Sequence, residues 1–156
     1  VDMGMYYRRL DYSKMVKGRH PIAAYEFLGP KLEGKDVILI DDMISSGKSI
    51  LEIASLLKKR GAGKIFICTT FGLFTEGMEK FDEAYQNGIF DKLLTTNLVY
   101  QTPELLSKPY YITCDMSKYI ALIIDTLNHD MSVSHLLNPA DRIKRCVSNY
   151  MAQYEK

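Results

Sequence analysis

The sequence predicts an α/β protein with a mainly parallel sheet flanked by helices. Short apolar runs rich in β-branched residues alternate along the chain with stretches whose apolar residues recur at helical spacing. One run, KIFICTT at residues 64–70, is almost continuously apolar, which is typical of a strand covered on both faces. Alternating strands and helices favour parallel pairing through right-handed crossovers, and ligands of such folds bind at the carboxyl ends of the strands.

The N-terminal part of the chain is predicted to contain two strands, at residues 3–7 and 22–28. Between them lies a basic, turn-prone segment, residues 8–20, which fits neither a helical nor a strand period and ends at Pro21. Such a segment is typical of a solvated surface loop. It also suits a mobile arm whose cations neutralise phosphate oxygens during a transfer reaction.

The most informative stretch is KDVILIDDMISSGKS, at residues 35–49. Its apolar run VILI predicts a strand that ends at Asp41 and Asp42. A helix is then expected to begin at Ser49, because the following apolar residues fall at helical spacing and Ser49 with Glu52 forms a capping-box pattern.

The alternation continues to the end of the chain. The same criteria predict a helix at residues 49–60, strands at 64–70, 92–95 and 110–114, helices at 78–87 and 116–128, and a loop at 103–109. Asn138 as cap and Pro139 at the first position favour one more helix. The apolar stripe of this helix favours packing within the chain and also suits a contact between subunits. The stripe consists of Ile143, Cys146, Val147, Tyr150, Met151 and Tyr154.

The turn after the two carboxylates combines the features of an anion site. It consists of Ser45, Ser46, Gly47, Lys48 and Ser49. Glycine permits a tight turn, the other side chains add donors, and the helix N-terminus exposes backbone N–H groups.

The carboxylates themselves would repel phosphate. Asp41 and Asp42 therefore need sugar hydroxyls, a divalent metal or a protonated base as partner. A ligand with a phosphate at one end and a diol near it satisfies both halves of the stretch, and ribose 5-phosphate is such a ligand.

Two other interpretations fit parts of this stretch. The nucleotide-binding pattern GxxxxGK[ST] matches at the residues from Gly47 to Ser49 but requires a glycine where the chain has Asp42, whose carboxylate would face the phosphates. The serines and the glycine also suit an ordinary helix cap after a solvated strand end.

Composition limits the class of protein. The chain has 156 residues, of which 47% are hydrophobic and 25% charged, which suits one globular domain with a real core. A net charge of +1 gives no support for binding to nucleic acid or to an anionic membrane, and no transmembrane run is present. Cys68, Cys114 and Cys146 are separate and are expected to be buried thiols of a reducing, cytoplasmic environment.

The segment VILIDDMISSGKS resembles the ribose-phosphate-binding loop of type I phosphoribosyltransferase-fold proteins. The chain around it resembles the C-terminal domain of the ribose-phosphate pyrophosphokinase (phosphoribosyl pyrophosphate synthetase) family over residues 4–137. Further matching motifs are Leu32–Lys35, Cys68–Gly72 with Gly77, Thr96-Asn97 and Ser132–Leu136. The resemblance implies a phosphoribosyltransferase-like domain at residues 1–137, without its first βα unit and the N-terminal domain, followed by a helical extension at 138–156.

The resemblance also implies an activity and residue roles. The expected enzyme transfers pyrophosphate from ATP to ribose 5-phosphate, with Mg²⁺ at Asp41 and Asp42 and the phosphate on the loop from Ser45 to Ser49. A homo-oligomer is expected as well. Arg8 and Arg9 would belong to a catalytic loop, and Ser132, Val133 and Ser134 would help form a regulatory site for phosphate or ADP.

The loop departs from the family pattern at two positions. Ser45 stands where an aspartate is usual, and Lys48 adds a cation where a small residue is usual. Ser45 therefore keeps a non-catalytic regulatory paralogue of the synthetase open as an alternative. A base-specific phosphoribosyltransferase also stays open, with residues 8–20 as the candidate for its nucleobase hood.

Overall fold

The computed structural model describes residues 3–10 and 23–154, with residues 7–10, 23–26, 135 and 154 described by their backbone alone. The chain forms two compact units, Val1–Cys114 and Asp115–Lys156. The first unit contains the strands β1 (Met5–Leu10), β2 (Ala23–Leu28), β3 (Val37–Ile44), β4 (Ile65–Gly72), β5 (Lys92–Thr96) and β6 (Tyr111–Cys114), and the helices α1 (Lys48–Lys59), α2 (Glu79–Gln86) and α3 (Pro103–Ser107). The second contains α4 (Ser117–Asn128), α5 (Ser134–Leu137) and α6 (Ala140–Tyr154).

The main sheet is parallel, as the sequence predicts. Its four strands follow one another in chain order, β3-β4-β5-β6. The first two strands form a separate antiparallel hairpin, β1-β2. The α/β fold with a parallel sheet and flanking helices is therefore confirmed.

The strand order decides which face of the sheet is covered. Right-handed crossovers between consecutive strands in chain order place the connecting helices on one face. The core lies on that face, and its largest fully buried side chains are Tyr110, Phe81, Phe90, Ile44, Leu57, Ile65, Ile67 and Leu93. On the opposite face, Ile38 is 66% and Ile40 77% exposed. The expectation of two covered faces, which was based on residues 64–70, is only partly met, because Phe66 and Cys68 on this face of β4 are half-buried.

Several element boundaries differ from those expected. β3 continues through Asp41 and Asp42 to Ile44, because β4 extends to Gly72 and supplies pairing partners that far. β1 likewise reaches Leu10, since β2 pairs with it along its whole length, so the irregular segment does not begin at Arg8.

A helix, α3, forms within residues 103–109, for which the sequence predicts a loop. The Thr102 side chain accepts a hydrogen bond from the N–H of Leu105 at 3.2 Å, and Pro103 occupies the first turn. Both residue types are favoured at these positions, so the signal was present in the sequence.

The second unit contains the expected capping bond of Asn138, whereas Pro139 lies just before α6, which begins at Ala140. The Asn138 side chain accepts a hydrogen bond from the N–H of Ala140 at 3.1 Å. Arg142 donates to the Leu136 carbonyl at 2.8 Å and lies over the Tyr119 ring at 5.0 Å. These contacts hold α4, α5 and the first turn of α6 together.

The apolar stripe of α6 is exposed, so the packing interpretation is not supported within the described residues. The exposed fractions are 57% for Ile143, 55% for Val147, 60% for Tyr150 and 49% for Met151. Cys146 on the same helix and Cys114 at the end of β6 are also exposed, which corrects the expectation that they are buried. Across residues 3–10 and 23–154, no helix has the length and apolar character needed to cross a membrane.

Candidate functional site

The carboxyl end of β3 presents the two adjacent carboxylates. Asp41 and Asp42 are both exposed, and the Asp41 Oδ1 atom accepts a hydrogen bond from the N–H of Asp42 at 2.9 Å. Successive strand residues point to opposite faces, so the two side chains leave the strand in different directions. This arrangement leaves most of the oxygen lone pairs available to a ligand.

Gly47 makes the turn between β3 and α1. It is the N-cap of α1, with a left-handed φ of 79°. A Cβ at this position would collide with the ring of Phe81 in α2. The expected tight turn is confirmed, and glycine is required here by conformation and by space.

The N-terminus of α1 carries free donors. The helix has no side-chain cap, so the expected capping box of Ser49 and Glu52 is wrong because the helix begins earlier, at Lys48. Within the described part of the chain, the N–H groups of Ser49 and Ile50 donate to no other residue, and that of Lys48 has only a long contact of 3.5 Å to Ser46 Oγ. Such a group of N–H donors suits an anion.

The charges at this helix end also favour an anion. The first turn of α1 contains no acidic residue and begins with Lys48, whose exposed side chain has no ion pair with another described residue. A cation at a helix N-terminus is disfavoured by the helix dipole. A bound anion would remove this conflict.

A second loop borders the first one. The Thr75 N–H donates to the Ser45 carbonyl at 3.0 Å, and the hydroxyls of Thr75 and Ser45 are 3.4 Å apart. Thr75 was not among the residues selected from the sequence, because this contact joins segments 30 residues apart. It adds another hydroxyl to the edge of the loop.

The ends of the next strands lie at the same edge of the sheet. Asp41 pairs in register with Thr69 of β4, which pairs with Thr95 of β5. The Thr96 hydroxyl donates to the Thr70 carbonyl at 2.6 Å, and the Asn97 N–H donates to the Cys114 carbonyl at 3.3 Å. These strand ends therefore lie at one edge of the sheet, where polar groups of β4 and β5 and the Asn97 N–H already take part in hydrogen bonds within the fold.

A polar cluster fixes α2, whose Phe81 supports Gly47. Tyr110 Oη and Lys108 Nζ each donate to the Asp82 carboxylate at 2.7 Å. Burial alone would raise the pKa of Asp82, but the hydrogen bonds from Lys108 and Tyr110 outweigh burial and hold this pKa below its ordinary value. Burial and the same carboxylate raise the pKa of Tyr110, so its hydroxyl remains a donor.

The described residues fit Mg²⁺ only as an ion shared with a ligand. No group of three or more His, Cys, Asp or Glu side chains converges on a metal-sized site in that part of the chain. Mg²⁺ is commonly held by one or two carboxylates, with waters and substrate phosphates completing its shell. Asp41 and Asp42 can supply those carboxylates but not a complete protein cage.

The other predicted site residues belong to other elements of the chain. The backbone of Arg8 and Arg9 lies in β1, paired with Tyr25 and Ala24, and residues 11–22 of the expected catalytic loop lie outside the described residues. Ser132 and Val133 precede the short helix α5, which begins at Ser134. The hydroxyls of Ser132 and Ser134 are 2.9 Å apart, so the two serines contact each other.

Comparisons with known proteins give a consistent result. The family model described as phosphoribosyl synthetase-associated domain matches residues 13–138. The ribose-phosphate pyrophosphokinase of Vibrio parahaemolyticus is 26% identical over 107 residues, which cover 69% of this chain and 33% of that protein. The ribose-phosphate pyrophosphokinase of Thermococcus kodakarensis is 36% identical over 93 residues, covering 58% of this chain and 31% of that protein.

A solved structure supports the fold. The phosphoribosylpyrophosphate synthetase from Mycobacterium smegmatis superposes with a TM-score of 0.59 at 21% identity, covering 69% of this chain and 34% of that one. The chain spans about a third of the length of the relatives it matches.

Proposed function

Because the chain belongs to the family of the phosphoribosyl synthetase-associated domain, we propose that it is the ribose-5-phosphate-binding part of a ribose-phosphate diphosphokinase. The reaction transfers pyrophosphate from ATP to ribose 5-phosphate and gives phosphoribosyl pyrophosphate and AMP. The observation that carries the proposal is the carboxylate pair of β3, followed directly by a helix N-terminus with free donors. The names of the relatives support the same chemistry.

The two halves of the site bind the two ends of the sugar phosphate. Asp41 and Asp42 accept hydrogen bonds from the ribose hydroxyls, and the same two carboxylates would hold Mg²⁺. The loop from Ser45 to Ser49 binds the 5-phosphate with its hydroxyls, its N–H groups and the Lys48 ammonium. Mg²⁺, when bound, offsets the negative charge of the reacting phosphates.

The remaining parts of the reaction depend on residues that the site alone does not supply. Arg8 and Arg9 neutralise the transferring pyrophosphate of ATP.

The phosphoribosyltransferase-like domain spans residues 1–137, and residues 138–156 form an extension. The end of the family match at residue 138 supports this boundary. Ser132, Val133 and Ser134 contribute to a phosphate or ADP site, and the protein functions as a homo-oligomer in the cytoplasm.

Calorimetric titration of the chain with ribose 5-phosphate tests the binding site. Asp42→Asn and Lys48→Ala should each weaken binding by about 10- to 100-fold, since each removes a charged hydrogen-bonding group worth roughly 1.5–3 kcal/mol. Lys59→Ala, at the opposite end of α1, and Glu52→Gln, on its exposed face, are matched controls that should leave the affinity unchanged. Unchanged affinity in both Asp42→Asn and Lys48→Ala would refute this assignment of the loop.

Release of AMP from ATP by the intact gene product tests the reaction. AMP formation that requires ribose 5-phosphate supports the synthetase. Binding of ribose 5-phosphate without AMP formation would instead indicate a non-catalytic regulatory protein, which is the alternative that Ser45 favours. Consumption of phosphoribosyl pyrophosphate with a nucleobase would identify a base-specific transferase.

A further inference from the structure

A row of polar side chains crosses the main sheet at the level of Asp41. In the registered pairs of the four strands, Asp41 lies beside Thr69, Thr69 beside Thr95, and Thr95 beside Thr113. Residues paired in register share a face, and their side chains stand about 5 Å apart. The preceding row on the same face is Leu39, Ile67, Leu93 and Tyr111. The polar row therefore replaces apolar packing at the carboxyl edge.

The two threonines farthest from Asp41 have hydrogen-bond partners within the fold. The hydroxyls of Thr95 and Tyr111 are 2.5 Å apart, and Gln101 Nε2 donates to the Tyr111 hydroxyl at 2.6 Å. The Thr113 hydroxyl donates to Gln101 Oε1 at 3.1 Å. This network occupies the hydroxyls of β5 and β6.

Thr69 differs from the other threonines of the row. It is 6% exposed, and its Oγ1 atom has no hydrogen-bond partner in the part of the chain that the structure describes. Buried hydroxyls are normally hydrogen-bonded, and one without a partner lowers stability. The Thr69 hydroxyl therefore has a donor proton to offer to a neighbouring acceptor.

The nearest group of suitable chemistry is the carboxylate beside it. One neighbour of Thr69 in the row is Thr95, which is already bonded to Tyr111. The other is Asp41, an acceptor whose Oδ1 takes one bond from the Asp42 N–H, while Oδ2 has no partner among the described residues. The Asp41 side chain is exposed and free to change rotamer.

We propose that Thr69 is a positioning residue for Asp41: its hydroxyl donates to the Asp41 carboxylate when a sugar phosphate binds. This bond fixes the carboxylate in the orientation that accepts the sugar hydroxyls. It also gives the buried hydroxyl an acceptor. The hydrogen bond between Thr69 and Asp41 therefore contributes part of the binding free energy. The inference rests on the proposed function, since it requires Asp41 to bind the ligand.

Thr69→Val tests the inference because valine keeps the shape and removes only the hydroxyl. The expected result is a melting temperature equal to or above that of the wild type, with ribose 5-phosphate binding weakened by roughly tenfold, the size expected for one hydrogen bond to a charged group. Thr69→Ser, which keeps the hydroxyl, should retain most of the affinity. Thr95→Val is a contrasting control: it removes a bond that is already made, so its melting temperature should fall.

A double-mutant cycle with Asp41→Asn separates positioning from packing. Thr69→Val should lower the affinity less in the Asp41→Asn background than in the wild type, because the partner carboxylate is gone. Equal losses in both backgrounds, or unchanged affinity in Thr69→Val, would overturn the inference while leaving the proposed function intact. If the wild type itself does not bind ribose 5-phosphate, the proposed function is wrong and the inference is rejected with it.

Discussion

Gly47 lies where β3 gives way to α1, with the Phe81 ring packed against its α-carbon. We predict that Gly47→Ala lowers the free energy of unfolding by about 2–6 kcal/mol, because a left-handed φ and overpacking each cost about 1–3 kcal/mol. Gly88→Ala is the matched control, since Gly88 has a similar φ of 66° but nothing within 4 Å of a Cβ. Urea unfolding measures both. Equal decreases in the free energy of unfolding of the two variants would show that the contact with Phe81 does not contribute to the effect.

The residue scale also shows which site features can be predicted from the sequence. The role of Gly47 in the turn can be predicted from local chemistry, because glycine adopts a left-handed φ without the steric penalty of a Cβ. The prediction of a capping box at Ser49 and Glu52 was wrong, because α1 begins directly after the turn at Gly47 and not after Ser49. Thr75 and Thr69 could not be identified, because their relation to Ser45 and Asp41 arises only when distant segments pack.

At the scale of elements, the Asp82 cluster connects α2 with the segment from α3 to β6. We predict that Asp82→Asn lowers stability by about 1–2 kcal/mol at pH 7, since its bonds from Lys108 and Tyr110 involve a charge. The pKa of Asp82 is lowered in the folded state, so the folded protein binds fewer protons than the unfolded chain. The stabilisation is therefore present above the unfolded pKa and is lost as the pH falls below about 4.

Thermal unfolding from pH 7 to pH 3 measures this effect. The difference between the wild type and Asp82→Asn should shrink as the pH falls. Glu76→Gln is a suitable control, because the Glu76–Lys80 pair is half exposed and surface pairs contribute about 0–1 kcal/mol. A difference that stays constant down to pH 3 would exclude the charge of Asp82 as its source.

Element boundaries divide into those set by local sequence and those set by partners. α3 is favoured by Thr102 and Pro103 at its N-terminus, but with five residues it is too short to show helical periodicity in the sequence. The end of β3 has no such local signal. Two aspartates are poor strand residues, yet they continue the strand because β4 pairs with it as far as Gly72.

At the scale of the whole molecule, the alternation of strands and helices was sufficient to predict a parallel α/β fold. It was not sufficient to predict strand order, which depends on how each crossover packs. The order β3-β4-β5-β6 places the connecting helices on one face and leaves apolar residues exposed on the other. A strand with one covered face usually alternates apolar and polar residues, whereas a strand with two covered faces is apolar throughout. When both faces carry isoleucine, the sequence does not distinguish these two cases.

Two isoleucines on adjacent strands measure this difference between the faces. Ile67 in β4 is fully buried, whereas Ile40 in β3 is 77% exposed. We predict that Ile67→Ala lowers the free energy of unfolding by about 2–5 kcal/mol, because it creates a cavity in the core. Ile40→Ala should cost less than about 1 kcal/mol, which corresponds to strand propensity without burial. Urea unfolding of the 156-residue chain gives both values. A loss at Ile40 as large as that at Ile67 would mean that this face of the sheet is covered in solution, since only burial makes the removal of so few methyl groups that costly.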